Sequence, residues 1–252
     1  PQDIISGLGW GLGYFGMPHI IIRFMSLKSE KELRKSSVIG ISWTTIILIM
    51  SALTAVAGRL YLGEIEDSST VFITMVRRIF PALVSGLLLS AILSAAMSTA
   101  DSQLLAASSA FASDVYKPVI RKKASDSEML WAGRIVVIVI AIVALFIASD
   151  PNSGSIMGLV ENAWGVFGAA FGPVILLSLF WKRLTFGGTV AGIAVGAAVD
   201  ILWLVFLSST DIYEIVPGFA AGLLAAVVVS FLSKGPGKNV EDLFDRAVDL
   251  KS

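Results

Sequence analysis

Ala95, Ser98 and Thr99 stand at i, i+3 and i+4, so a helix through them sets two hydroxyl oxygens and one carbonyl on a single face. Hard oxygens suit a small hard cation. With no carboxylate in the cluster, Na⁺ fits better than Ca²⁺ or Mg²⁺, whose sites usually recruit several carboxylates. The same residues also read as a small-residue helix interface whose hydroxyls bond back to the preceding turn. A second group lies in 7–19, where five glycines alternate with apolar residues and Pro18 and His19 follow. Glycine and proline together weaken a helix and let other groups approach its backbone. Trp10, Tyr14 and Pro18 recur at i, i+4 and i+8, so two aromatic rings beside an interrupted backbone would wall a small-solute pocket. The competing reading is a glycine-rich packing surface with ordinary core or interfacial aromatics.

The ionisable residues within apolar surroundings are Asp101, Glu161 and Asp200. An intramembrane carboxylate is a functional candidate by default. Asp101 lies toward the end of an overlong apolar stretch, and Glu161 sits close enough to a loop to snorkel or cap. Asp200 is deeper, and its role is not legible. His19, the only histidine, reads as a packing or interfacial residue, since one His makes no metal cluster. The absence of Cys removes disulfides, thiolate metal sites and cysteine catalysis. No nucleophile elbow, zinc-protease helix or phosphate loop is present in a suitable context, so the sequence offers an enzyme no residues to stand on.

The elements that must position these groups are membrane helices. Of 252 residues 56% are hydrophobic and 15% charged, and the mean hydropathy is +0.83, beyond what a water-soluble domain carries. Lys plus Arg and Asp plus Glu each number 19, so no net basicity argues for nucleic acid. Cutting at the charge clusters leaves seven apolar segments: about 4–25, 38–62, 81–112, 130–148, 155–181, 187–207 and 215–232. A bilayer core of ~30 Å at ~1.5 Å per residue needs ~20 residues, and each segment is near or above that. They are apolar all round rather than alternating, which favours helices over barrel strands. The chain opens at Pro1 and enters an apolar stretch at once, as a piece of something longer would.

The basic residues predict the orientation. Sixteen follow or flank alternate segments on one side, from Arg23, Lys28 and Lys31 to Lys234 and Lys251, against Arg59, Arg77 and Arg78 on the other. The richer side is cytoplasmic, which puts the start outside and the C-terminus inside. Arg77 and Arg78 fit if 70–80 is a short amphipathic helix on the outer surface, with Pro81 opening the next span at its first helical position. In the polar tail Val240, Leu243, Phe244 and Val248 recur with helical spacing, as in a peripheral helix or a frayed end.

Taken together, the stretches GWGLGYFGMPH at 9–19, AILSAAMSTADSQLL at 91–105, ENAWGVFGAAFGP at 161–173 and YEIVPGF at 213–219 resemble the sodium/solute symporter family, and within it the members that carry proline. The resemblance runs through essentially the whole chain and matches the C-terminal half of such a transporter. It implies an all-α integral membrane protein with the inverted-repeat, LeuT-like fold and about seven transmembrane helices. Residues 1–181 would be the second five-helix repeat, 182–233 two peripheral helices, and 234–252 a cytoplasmic tail.

It also implies sodium-coupled symport of L-proline by alternating access, in the inner (plasma) membrane of a bacterium, with the lipid bilayer and the N-terminal half of the same transporter as partners. Na⁺ would be bound by the Ala95 carbonyl and the Ser98 and Thr99 hydroxyls, completed by carbonyls from the N-terminal half. Trp10, Tyr14 and Pro18 fall on the family's substrate-pocket positions. Met17 departs from the glutamine often found there in the proline carriers, which bears on the solute. The alternatives are a sodium symporter for another amino acid, a sugar or a carboxylate, or a transporter-like sensor or scaffold module, for which the short tail leaves no signalling domain.

Overall fold

The structure is a computed structural model that describes residues 2–150 and 153–249, and every regular element among them is helical. Among the described residues six helices are long and apolar enough to cross a membrane: Glu32–Leu62, Ala82–Ile120, Asp126–Ser149, Ile156–Phe180, Phe186–Phe206 and Ile215–Leu232. The expected first span is not one rod. It is divided into α1 (Gln2–Gly13) and α2 (Pro18–Met25), because glycines and Pro18 interrupt the ladder between them.

The chain divides into two compact units, one made of residues up to Arg23 and from Val143 onward, the other of Phe24–Ile142. In the first unit α1 packs on α7 (Ile156–Phe180) and α9 (Ile215–Leu232), and these two pack with each other and with α8 (Phe186–Phe206). The starts of α7 and α8 are capped alike. Ser155 Oγ accepts from the Gly158 amide at 3.0 Å and Thr185 Oγ1 from the Gly188 amide at 3.1 Å, satisfying donors that a helix start leaves open.

Small residues bring these helices together. On α8 Gly188, Gly192 and Gly196 are buried at four-residue intervals, and on α9 Gly218, Gly222, Ala226 and Ser230 answer at the same interval. A side chain at Gly196 would collide with the Ala169 carbonyl of α7, and one at Gly222 would meet the Gly192 oxygen at 3.0 Å. Lipid offers no hydrophobic drive between helices, so this close backbone approach is what holds the seam. At its end Ser230 Oγ accepts from the Thr185 amide at 3.1 Å, fastening the start of α8 to the end of α9. The tail forms α10 (Lys238–Asp249), tied back by a 2.6 Å ion pair between Lys182 and Asp245. The Asp245 hydrogen bond holds the Lys182 ammonium above the ordinary lysine range.

The second unit contains α3 (Glu30–Leu62), α4 (Val71–Ile79), α5 (Ala82–Ala110) and most of α6 (Asp126–Ser149). α3 begins well before the apolar segment at 38 and stops at Gly63, whose φ of 74° a side-chain-bearing residue rarely adopts. The amphipathic helix expected over 70–80 is α4. Pro81 differs by one position from expectation: its extended ψ of 158° makes it the cap, and α5 begins at Ala82. Ser85 Oγ lies 3.0 Å from both the Val76 and Phe80 carbonyls and closes that corner. Beyond Ala110 the helix does not end near 112 but continues, wound one residue wider, through Phe111–Ile120.

Candidate functional site

α1 ends where Gly13 and Gly16 lie closely against α7. A side chain at Gly13 would run into the Trp164 indole, and one at Gly16 into the Phe167 carbonyl of α7. Turns close the gap, with the Phe15 amide donating to Leu12 O at 3.3 Å and the Gly16 amide to Gly13 O at 2.9 Å. Met17 then caps α2, its carbonyl accepting from Ile20 and Ile21 at 3.1 Å each, so Pro18 takes the first helical position, where its missing N–H costs nothing. Gly7 and Gly11 have open space where a side chain would stand. The glycine run is therefore a break in the helix, and within it Gly9, Gly13 and Gly16 are packing positions.

The Trp10 carbonyl lies in the last turn of α1. The Trp164 indole N–H donates to it at 3.0 Å. The Trp10 and Trp164 rings lie 5.9 Å apart, Tyr14 meets Trp164 edge-on at 4.9 Å, and Tyr213 packs 5.8 Å from Trp10. Edge-to-face and tilted pairs at such distances are the favourable arrangements for aromatic quadrupoles. Ser6 Oγ accepts from the Tyr213 amide at 3.2 Å, and the Tyr213 hydroxyl donates to Glu161 O at 2.8 Å, so the cluster is pinned from α1, α7 and the entry to α9.

Trp10 and Tyr14 thus touch one ring. Pro18 does not continue their register, because the helical repeat ends at Gly13 and a new helix starts at Pro18, preceded by the buried Met17. Tyr14 remains half exposed and Pro18 exposed. Trp164 and Tyr213 were missed as contributors; both lie in stretches that carry the family resemblance, but nothing in their own spacing points to Trp10.

In the other unit Ala95, Ser98 and Thr99 sit in the regular middle of α5, all exposed. The Thr99 hydroxyl donates to Ala95 O at 3.2 Å, and Ser102 Oγ donates to Ser98 O at 2.9 Å. One bond therefore draws two of the three expected oxygen ligands together, and it is also the back-bonding that a small-residue helix face makes. The chemistry open to this patch is neutral oxygen donation to a small cation. Asp101 is exposed, Glu161 half-buried and Asp200 fully buried. Among the described residues no three His, Cys, Asp or Glu side chains come together as a metal cluster.

A family model described as the sodium:solute symporter family matches residues 1–196. The chain is 46% identical over 253 residues to the high-affinity proline transporter PutP of Bacillus subtilis (strain 168), covering 99% of this chain and 53% of that protein. It is 45% identical over 248 residues to the osmoregulated proline transporter OpuE of the same organism, covering 96% and 50%. It is 44% identical over 259 residues to the sodium/proline symporter of Haemophilus influenzae (strain ATCC 51907 / DSM 11121 / KW20 / Rd), covering 98% and 51%. The chain thus spans about half the length of the curated relatives it matches.

Proposed function

Because the chain belongs to the sodium:solute symporter family, we propose that it forms the C-terminal half of a sodium-coupled L-proline symporter of a bacterial plasma membrane. The observation that carries the reading is the helix break at 14–17, where Trp10 and Tyr14 flank one indole beside backbone that has left the helical ladder. Interrupted helices at membrane depth are where transporters of the inverted-repeat kind bind their solutes, since freed backbone groups can meet a polar ligand there. Trp10 and Tyr14 shape the apolar wall for the pyrrolidine ring, and Pro18 fixes the direction in which the chain leaves the pocket.

Ala95 O, Ser98 Oγ and Thr99 Oγ1 contribute neutral oxygens to Na⁺, and carbonyls of the N-terminal half complete the shell. Na⁺ binding bridges α5 to that half and favours the outward-open state, in which solute binds best: a population shift by differential affinity. Entry of one Na⁺ draws on about 2.3 kcal/mol per 100 mV together with its concentration gradient, which drives a zwitterion uphill without ATP. The start lies outside and the C-terminus in the cytoplasm, in accord with the Lys and Arg asymmetry. Residues 1–181 make the second repeat of the core, 182–233 two peripheral helices, and 234–252 the cytoplasmic tail.

Uptake of radiolabelled L-proline by cells making the complete protein tests the reading. Saturable uptake that requires Na⁺ and is competed best by unlabelled L-proline is expected. Met17 at the break favours one second reading, a symporter for another small solute, and competition led by a different amino acid, a sugar or a carboxylate would establish it instead.

A further inference from the structure

On α8 the four-residue stripe Gly188, Gly192, Gly196 ends in Asp200, so the position that should hold another small residue drives a carboxyl group into the helix seam. Asp200 is 0% exposed, and neither of its carboxyl oxygens has a hydrogen-bond partner among the described residues. Glu214, the cap residue of α9, is 8% exposed, and its Oε1 is equally unpartnered among them. Both groups reach the same point beside Gly165 of α7. A methyl group there would lie 3.1 Å from Asp200 Oδ1 and 3.3 Å from Glu214 Oε1.

The titratable groups that face this point are Glu161 from α7, Asp200 from α8, and Tyr213 and Glu214 at the entry to α9. None of them is a base. An ionised carboxylate buried without a donor is too costly to persist, so the site must be neutralised. A metal ion needs several oxygens around it, and this seam has no room for them. A side-chain carbon at Gly218 would already lie 2.9 Å from Asp200 Cβ and 3.1 Å from Gly196 O. A proton takes no such room, and it supplies the one donor that two facing acids lack.

We propose that Asp200 and Glu214 form a buried proton-binding site at neutral pH, in which the O–H of one carboxylic acid donates to a carboxyl oxygen of the other across Gly165. The two acids titrate as a pair. Burial pushes the Glu214 carboxyl above the usual range; a backbone hydrogen bond opposes that shift, and the charge of Glu161 adds to it. Loss of the proton leaves two anions facing each other and forces the entry of α9 away from α7 and α8. Tyr213, next in the chain to Glu214, moves with it and leaves Trp10. Proton occupancy therefore latches the aromatic cluster. The residues of this site lie on α7, on α8 and at the entry to α9, and the proposal does not depend on which solute the protein carries.

The sign of the linkage follows. The folded protein keeps a proton that the unfolded chain releases at neutral pH. Stability is therefore greatest below the ordinary carboxylate range and falls as pH rises until the buried site gives up its proton. The test uses the intact protein in lipid nanodiscs, with infrared detection of the carbonyl stretch that a protonated carboxyl has and a carboxylate lacks. We expect this band at neutral pH, its loss in Asp200→Asn and in Glu214→Gln, and a wild-type unfolding equilibrium that shifts by up to tenfold per pH unit across the titration. In both variants that pH dependence should flatten. Absence of the band from the unmodified protein, its persistence in both variants, or a stability that follows Na⁺ rather than pH overturns the proposal. The titration of the unmodified protein decides the matter even where a variant fails to fold.

Discussion

The indole N–H of Trp164 donates to the main-chain carbonyl of Trp10 at 3.0 Å, across 154 positions of sequence, at the point where α1 stops. A side chain of α7 is thus tied to the main chain of α1 in its last turn. Two consequences meet there: the carbonyl is satisfied, and the Tyr14 ring gains an edge-on partner 4.9 Å away. Trp164→Phe keeps a ring and deletes the donor. A lost hydrogen bond of this kind is worth about 1 kcal/mol, a factor of roughly five. Solute affinity of the intact transporter should fall by about that factor, while Trp10→Ala and Tyr14→Ala weaken it further. Concentration-dependent uptake checks this, and a change confined to maximal rate or expression would count against the pocket.

Gly11 and Gly13 are two residues apart on α1 and should respond in opposite ways to the same substitution. At Gly13 an added methyl would run into the Trp164 indole, whereas at Gly11 nothing lies within 4 Å. Gly13→Ala should destabilise the protein by about 1–3 kcal/mol through forced repacking of Trp164. Gly11→Ala should stabilise the helix, by up to ~1 kcal/mol. Thermal unfolding of the two variants in detergent separates them; equal effects would mean that the break, and not the packing, sets the demand for glycine.

Much of this was legible in the sequence because lipid and helix geometry restrict the alternatives so heavily. Apolar length gave the spans, the glycine run and Pro18 gave the break in the first of them, and the arginines at 77 and 78 gave α4. What failed to show was set by contacts between distant residues. Residues 113–120 bring in Ser113, Asp114, Lys117 and Pro118, so composition ends the helix near Ala112, yet it continues to Ile120. Its end is held from the side, by Tyr116 donating to Glu128 at 2.8 Å and Arg121 pairing with the same carboxylate at 3.0 Å. Trp164 and Tyr213 join the aromatic cluster only because α7 and the entry to α9 pack on α1. Asp200 was visible as an intramembrane acid, but its meeting with Glu214 depends on three helices at once.

The turn before α4 gives a pH-dependent prediction outside the spans. Asp67 accepts from the Ser69 amide at 2.9 Å, and hydrogen bonding from the Ser69 side chain, with that amide adding to it, holds its carboxyl below the usual range. Because the folded state favours the ionised form, the contribution is present above the ordinary carboxylate range and is lost as pH falls through the lowered value. Asp67→Ala should speed hydrogen exchange at the Ser69 amide at neutral pH and leave α5 unaffected. Protection at Ser69 that is unchanged in the variant would show that the cap does not order this turn.

On α5 the Thr99 hydroxyl and the Ala95 carbonyl are already 3.2 Å apart, so the helix itself presents two oxygens together before any ion arrives. If these groups and Ser98 supply part of a Na⁺ shell, removing one hydroxyl should cost about 1.4 kcal/mol of ion binding, a tenfold rise in the Na⁺ concentration that half-saturates uptake. Ser98→Ala and Thr99→Ala should each show this rise in the complete transporter, and Thr99→Ser, which keeps the oxygen, should not. Membrane insertion should be unchanged, since alanine is no more polar than the residues it replaces. Uptake at saturating Na⁺ should also recover, because only ion occupancy has been weakened. An unaltered Na⁺ dependence in both alanine variants would mean that the hydroxyls serve helix packing, the other role their small size and back-bonding allow.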